Sequence, residues 1–421
     1  MNYFNEMISS IKDLVKIDSV EKPATGDKPF GQGVYDALKY MLDLGEKFGF
    51  ESINYDNYIG EIVWRGGEEN LGILCHLDVV PVGNLSDWKY PPFSATEVDG
   101  KIYGRGTMDD KSPAVCILYC MKQLKDEGFK PKKTIKLILG CDEESGWECI
   151  AHYKKVAKMP ETGFSPDADF PVLYAEKGIL HAEFTFDASD KLKEIIGGVR
   201  ANVVCDYVRC LAPTDKNLIK KYGLETDGDY IVGRGITAHG STPEKGKNAI
   251  EPMLKYLADL GIIDKEVPQK LFDDVLGLKK LEDETGKLTM SPDVIEGKDG
   301  KIKIIVDFRY PCTLKPEFML ETIAKIGEYT VLEHQLPLYN DKNSDMIQTL
   351  LKIYNETTGE NAQPIAIGGG TYARALPLGT AFGPQFMGEE ETIHQPNEYI
   401  KIENLKLCYE MYKKAVYELS K

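Results

Sequence analysis

Three short stretches in the first part of the chain carry the residue types of a metal centre. His76 closes the apolar run 71–75 (Leu-Gly-Ile-Leu-Cys), and Asp78 lies two residues further on. On an extended backbone, residues two apart share one face. Such a pair grips one ion poorly, but a carboxylate behind an imidazole fixes its tautomer and orientation, as it does behind catalytic metal ligands. Asp109-Asp110 follow Gly104-Arg105-Gly106-Thr107-Met108, and Glu143-Glu144 follow the strand-like run 134–140. An imidazole with successive carboxylate pairs suits divalent cations. Two neighbouring glutamates in a loop can divide the work, one holding metal and the other a proton.

Taken singly, each group has an ordinary structural use. A histidine at a strand end is commonly structural, an aspartate pair before a helix complements its dipole, and paired glutamates commonly mark a solvated turn. Chemistry requires that they converge, and the elements around them allow it. Residues 71–75 read as a buried strand and 134–140 as another strand. Ser112-Pro113 reads as an N-cap and first helical position, opening a helix through Lys125 that stops at Gly128. Strand, helix, strand with short connections predicts an α/β sheet, and such sheets gather ligands beyond the carboxyl ends of their strands.

The middle of the chain has another texture. Ile302, Ile304, Val306 and Phe308 alternate with Lys301, Lys303, Asp307 and Arg309. That period predicts an antiparallel sheet with one wet face, and residues 184–186 read the same way. Asn248 predicts a cap for a helix with the stripe Ile250, Met253, Leu254, Leu257 and Leu260, ended by Gly261. Helical periodicity at 346–354, an apolar strand-like run at 364–367 and a last helix over 403–419 resume the first style. The expected fold is α/β: a catalytic domain with a mixed, mostly parallel sheet flanked by helices, plus an inserted α+β lid domain, divided as 1–179, 180–337 and 338–421.

Composition bounds the function. With 51 basic and 67 acidic residues the chain carries a formal charge of −16. It repels phosphate backbones, so no nucleic-acid partner is expected. No apolar run approaches the roughly 18 residues of a membrane span. Residues 1–16 read as an amphipathic helix, not a signal peptide, so a cytoplasmic protein without a membrane partner is expected. The nine cysteines are scattered singly and read as reduced core thiols. Gly233-Arg234-Gly235-Ile236-Thr237-Ala238 matches a loose dinucleotide pattern, but Gly240 and Pro243 interrupt the helix that should follow, and the reading is rejected. Cys75 and His76 point to opposite faces of a strand, which rejects a thiol catalyst.

Across nearly its full length the chain resembles the co-catalytic metallopeptidases that include aminoacylase, acetylornithine deacetylase and carnosinase, most of all their bacterial dipeptidase V branch. The resemblance rests on His76-Leu77-Asp78-Val79-Val80-Pro81, on residues 104–111, on Asp142-Glu143-Glu144-Ser145 and on Ser165-Pro166-Asp167-Ala168-Asp169-Phe170-Pro171. Ala238-His239-Gly240-Ser241, Gly368-Gly369-Gly370-Thr371-Tyr372-Ala373-Arg374 and His394-Gln395-Pro396-Asn397-Glu398 complete it, in the family's order and spacing.

The resemblance implies two divalent ions (zinc or manganese, with cobalt possible) bridged by Asp109. His76 and Asp167 would complete one site, Glu144 and His394 the other. Glu143 would be the general base acting on a metal-bridging water, and Asp78 would orient His76. His239 would stabilise the oxyanion from the lid. Asn202 and Arg309 would hold the substrate carboxylate, and the backbone at Gly369, Gly370 and Thr371 would approach the substrate. For Arg309 the residues alone leave a second reading open, a sheet-face ion pair with Asp307. The implied activity is a metal-dependent dipeptidase acting on small dipeptides with a free amino terminus, working as a monomer. The rivals are an N-acyl-amino-acid deacylase with the same centre and, from another class, a non-catalytic metal or peptide binder.

Overall fold

The computed structural model describes residues 3–421, so Met1 and Asn2 of the expected N-terminal helix lie outside the described residues; the helix itself is Tyr3–Val15. The chain forms two compact units. The first comprises the chain up to Tyr174, Asn340–Ile365 and Thr371–Lys421. The second comprises Ala175–Tyr339 and the short glycine-rich segment Ala366–Gly370.

The first unit is built on a mixed sheet. Its strands run in the spatial order Glu51–Tyr55, Ile59–Trp64, Thr134–Gly140, Asn70–His76, Thr162–Ser165 and Leu378–Ala381, and then Leu173 of the strand along which the chain leaves the unit. The four strands from Thr134–Gly140 to Leu378–Ala381 are mutually parallel, and the flanking ladders are antiparallel. Parallel strands are buried on both faces and so read as continuous apolar runs; Leu71, Ile73, Leu74, Cys75, Ile135, Leu137, Ile138 and Leu139 are all buried.

Helices cover both faces. On one, Gly60 and Ile62 meet Leu38, Leu42 and Gly45 of helix Gln32–Lys47. On the other, Glu61 takes hydrogen bonds from Lys136 at 2.9 Å and from Tyr153 of helix Glu148–Val156. Helix Lys111–Asp126 starts one residue before the predicted cap. Ser112 lies inside it with its hydroxyl buried and unpartnered, and the capping position belongs to Asp110. The last helix is Ile402–Ser420, and the periodicity at 346–354 belongs to helix Asp345–Thr358.

The second unit is an eight-stranded sheet, antiparallel in every pairing. Helix Ile250–Asp259 buries Ile250, Met253, Leu254 and Leu257 in a core shared with Ile302, Ile304, Val306 and Phe308. Asn248 Oδ1 accepts the Ile250 amide at 2.9 Å, and Gly261 ends the helix with φ 66°. The expected wet face holds for Lys301 and Lys303 but fails at the end of the strand. Asp307 is fully buried and Arg309 nearly so, because they pair with each other. No helix among the described residues is long and apolar enough to cross a membrane.

Candidate metal centre

Because Thr134–Gly140, Asn70–His76 and Thr162–Ser165 are neighbouring parallel strands, their carboxyl ends share one sheet edge. His76 is the last residue of the central strand, opposite Gly140. Glu143 and Glu144 lie just beyond one neighbour, and Asp167 just beyond the other. Asp109 comes from the loop entering helix Lys111–Asp126, and His394 from a turn where its own φ is 61°.

These side chains meet. His76 Nε2 lies 2.7 Å from Asp109 Oδ1 and 3.5 Å from Asp167 Oδ2. His394 Nε2 lies 3.0 Å from Asp109 Oδ2 and 3.1 Å from Glu144. Asp109 therefore turns one oxygen to each imidazole. Ligand atoms of His76, Asp109 and Glu144 all fall within 4.8 Å of one another, a spacing that could hold a metal ion.

Charge in this cluster is strongly coupled. Burial would raise the Asp109 pKa, but the two imidazoles pull it below the usual carboxylate range. Burial, then Asp109, raises Glu144 to about 7 and pushes Asp167 up as well. Glu143 is pushed well above its ordinary value by burial and by Asp167, Glu144 and Asp109, against the opposing pull of His76. Burial opposes charge on the imidazoles, yet hydrogen bonds to Asp109 and its neighbours raise His394 to about 11 and His76 well above 6.5. The field of these carboxylates favours positive charge among them, whether proton or cation. Three carboxylates and two imidazoles are a donor set that zinc, manganese and cobalt accept, so the residues fit the implied dinuclear site.

Asp78 sits differently from its expected place. The strand stops at His76, so Asp78 lies beyond it. Its backbone carbonyl is 2.9 Å from His76 Nδ1, while its carboxylate Oδ1 stands at 3.6 Å. Carboxylate Oδ2 instead accepts the Glu144 amide at 3.0 Å.

Two supporting carboxylates were given no role in the site by the sequence reading. Glu398 accepts Arg105 Nη1 at 2.7 Å and the amides of Gly106 and Met108 at 3.1 and 2.8 Å, fixing the loop that presents Asp109. Asp110 Oδ2 accepts the His76 amide at 3.1 Å. The acidic pair at 109–110 was visible in sequence. The use of Glu398, far along the chain, was not.

The remaining predicted residues lie in the second unit, except Thr371, which is in the first. Within the second unit, Asn202 and His239 lie together: Gly240 donates to Asn202 O at 2.7 Å, and Val203 bridges to His239. Ser241 N donates to His239 Nδ1 at 3.1 Å, and the Ser241 hydroxyl is 2.7 Å from the same nitrogen. Arg309 binds Asp307, the ion pair that the residues had left open, and its Nη1 also donates to Gly368 O at 3.3 Å, beside Gly369 and Gly370.

A parallel sheet gathers carboxylates and imidazoles at its carboxyl edge, interrupted in sequence by an antiparallel domain, and the gathered side chains could hold a metal ion. Residues 72–418 match Peptidase family M20/M25/M40. The chain is 36% identical over 454 aligned residues to YtjP of Bacillus subtilis (strain 168), covering 99% of this chain and 97% of that one. It is 32% identical to the Beta-Ala-Xaa dipeptidase of Lactobacillus delbrueckii subsp. lactis, covering 99% and 96%. Human carnosine dipeptidase 1 shares the fold with a TM-score of 0.65 at 14% identity, over 99% of this chain and 96% of that one. The chain belongs to the M20 peptidase family and is a hydrolase of the peptidase class.

Proposed function

We propose that this enzyme is a dipeptidase that hydrolyses the peptide bond of small dipeptides with a free amino terminus. The observation that carries this reading is Asp109, whose two oxygens face two different imidazoles. We assign His76, Asp109 and Asp167 to one divalent ion, and Asp109, Glu144 and His394 to a second, zinc or manganese with cobalt also acceptable. Bound there, the ions would supply Lewis acidity to the amide carbonyl and lower the pKa of a shared water towards about 7.

The chain's own residues do the rest. Glu143 sits where burial and neighbouring acids raise its affinity for a proton. That suits a group that takes a proton from water and hands it to the leaving amine. Asp78 steadies both His76 and the Glu144 backbone. His239 Nδ1 accepts the Ser241 amide, which in the neutral ring leaves the proton on Nε2. An Nε2–H donor suits a developing oxyanion. Asn202 and Arg309 hold the substrate carboxylate, and Gly369, Gly370 and Thr371 offer backbone to the substrate. In this reading the first unit is the catalytic domain and the second is a lid. The enzyme acts as a cytoplasmic monomer.

The test is turnover of unblocked dipeptides against N-acetyl amino acids, using chelated enzyme reloaded with one metal at a time. Dipeptides are expected to react. Reaction of the acetylated compounds alone would make this a deacylase, and metal uptake without any hydrolysis would make it a binder.

A further inference from the structure

The sheet of the inserted domain buries a second charged group, separate from the metal-centre residues. Its hub is Asp307. Arg309 Nε lies 2.7 and 3.0 Å from the two Asp307 oxygens, and Nη2 lies 2.9 Å from Oδ2. Asp307 thus occupies the Nε/Nη2 edge of the guanidinium, a bidentate geometry. With Nη1 also donating to Gly368 O, each terminal nitrogen keeps one further N–H for another acceptor.

Asp307 also faces a second basic group. His181 stands directly opposite it on strand Gly178–Asp187, with Nε2 3.5 Å from Oδ1. This Nε2 is buried and has no hydrogen-bond partner of its own. His181 Nδ1 lies 2.8 Å from Glu333, the cross-strand residue on Glu328–Gln335. The fourth strand at this point contributes Ser291, which faces Asp307 and donates to Asp293 at 2.5 Å. Gly240 covers the carboxylate; a Cβ there would stand 2.2 Å from Asp307 Oδ2.

Burial opposes protonation of His181, but Asp307 and Glu333 outweigh it and lift its pKa to about 9. Burial first, then the repulsion of Asp307, lifts Asp293 to about 8, so it is mostly neutral at pH 7. The group then holds two cations (Arg309 and His181) and two anions (Asp307 and the half-exposed Glu333). Were Arg309 the sole countercharge, the Asp307 charge would fall entirely on the guanidinium and weaken its pull on a second carboxylate. An imidazolium beside Asp307 offsets part of that charge.

We propose that His181, held by Glu333, is a positioning residue for substrate recognition: its charge balances Asp307, so that Arg309 presents its remaining N–H pair to the substrate carboxylate and the Gly240 backbone next to His239 keeps its seat. The proposal rests on the reading of Arg309 as the carboxylate-binding group. No contact between His181 and substrate is required.

The experiment compares kcat/KM for a dipeptide and its C-terminal amide on metal-loaded enzyme. Wild type is expected to prefer the free acid. Arg309→Lys should cut that preference about 100-fold and His181→Gln about tenfold, the latter mainly through KM for the acid. The double variant should be no worse than Arg309→Lys alone, since both act on one interaction. Glu333→Gln, at a half-exposed position that tolerates change, should move the preference the same way by about threefold, and it carries the test if the buried His181→Gln protein does not fold. Equal loss on acid and amide, or an intact preference in both the His181 and Glu333 variants, overturns the positioning role. A wild type indifferent to acid or amide instead overturns the assignment of Arg309 itself.

Discussion

The Glu144 amide donates to Asp78 Oδ2 at 3.0 Å, so a residue beyond the strand that ends at His76 holds the backbone of a proposed ligand carried by its neighbour. The same Asp78 receives the His76 ring through its own carbonyl. One side chain and its backbone therefore set two of the five groups of the centre relative to each other. Supporting contacts of this kind tune metal affinity by about 10–100-fold. Asp78→Ala is expected to lose that much, and Asp78→Asn, whose amide oxygen can still accept the Glu144 amide, far less. Competition against a chelator of known affinity measures both. Equal losses would mean that the charge of Asp78, not its hydrogen bond, is what the centre uses.

Glu143 separates metal binding from proton transfer. It lies next to Glu144 and shares the electrostatic field of the cluster without being one of the five proposed ligands. Glu143→Gln is expected to keep two metal equivalents while kcat falls by about 10²–10⁴, the usual worth of a positioned acid–base group. Metal content by elemental analysis alongside steady-state rates checks it. Loss of one metal equivalent would move Glu143 into the ligand set, and unchanged turnover would remove it from the mechanism.

What the sequence made legible was whatever local periodicity or local spacing encodes. Strands Asn70–His76 and Thr134–Gly140 were visible as short, mainly apolar runs, and the chemistry at their ends followed from strand order. Asn248 and Gly261 marked a helix from its ends. Asp167 and His394 carried no local signal, since a lone acid after proline and a lone loop histidine are ordinary surface residues; family resemblance alone singled them out. Asp307 and Arg309 misled the alternation, because an ion pair can take a polar face into the interior when the charges cancel. The pairings of His181 and Glu398 were invisible because their partners lie across strands or far along the chain.

Glu398 shows what such a distant pairing is worth. It lies 293 residues from Arg105, and both side chains are almost wholly buried. Removing one charge from a buried pair leaves the other uncompensated, at a cost of roughly 3–5 kcal/mol. Glu398→Gln is expected to lower stability by about that amount. It should also loosen the loop whose amides Glu398 accepts, and with it the placement of Asp109. Urea denaturation of the metal-loaded protein reads the first effect, and chelator competition the second. A shift below about 1 kcal/mol would show that the pair contributes little beyond what an uncharged amide supplies.

The group around Asp307 should make the inserted domain sensitive to alkali. His181 rises from an ordinary value of 6.5 to about 9 in the fold. The folded domain then holds the proton more tightly than the unfolded chain does. That stabilisation is complete below about pH 6.5 and is lost as pH rises through 9, amounting to at most about 3 kcal/mol. The lowered pKa values of Asp307 and Glu333 are in part the same interaction seen from its other side and are not added to it; Arg309 also helps to hold Asp307 ionised. Asp293, raised to about 8 by burial, works in the same direction over a lower window, from the ordinary carboxylate range up to 8. Amide hydrogen exchange along strand Lys301–Tyr310, corrected for intrinsic rates, should therefore quicken between pH 6.5 and 9.5 in wild type. His181→Gln removes the higher titration, so its exchange should already be faster at pH 6.5 and should change less towards 9.5. Parallel pH profiles in the two proteins would mean that the imidazole does not carry the charge that the burial of Asp307 requires.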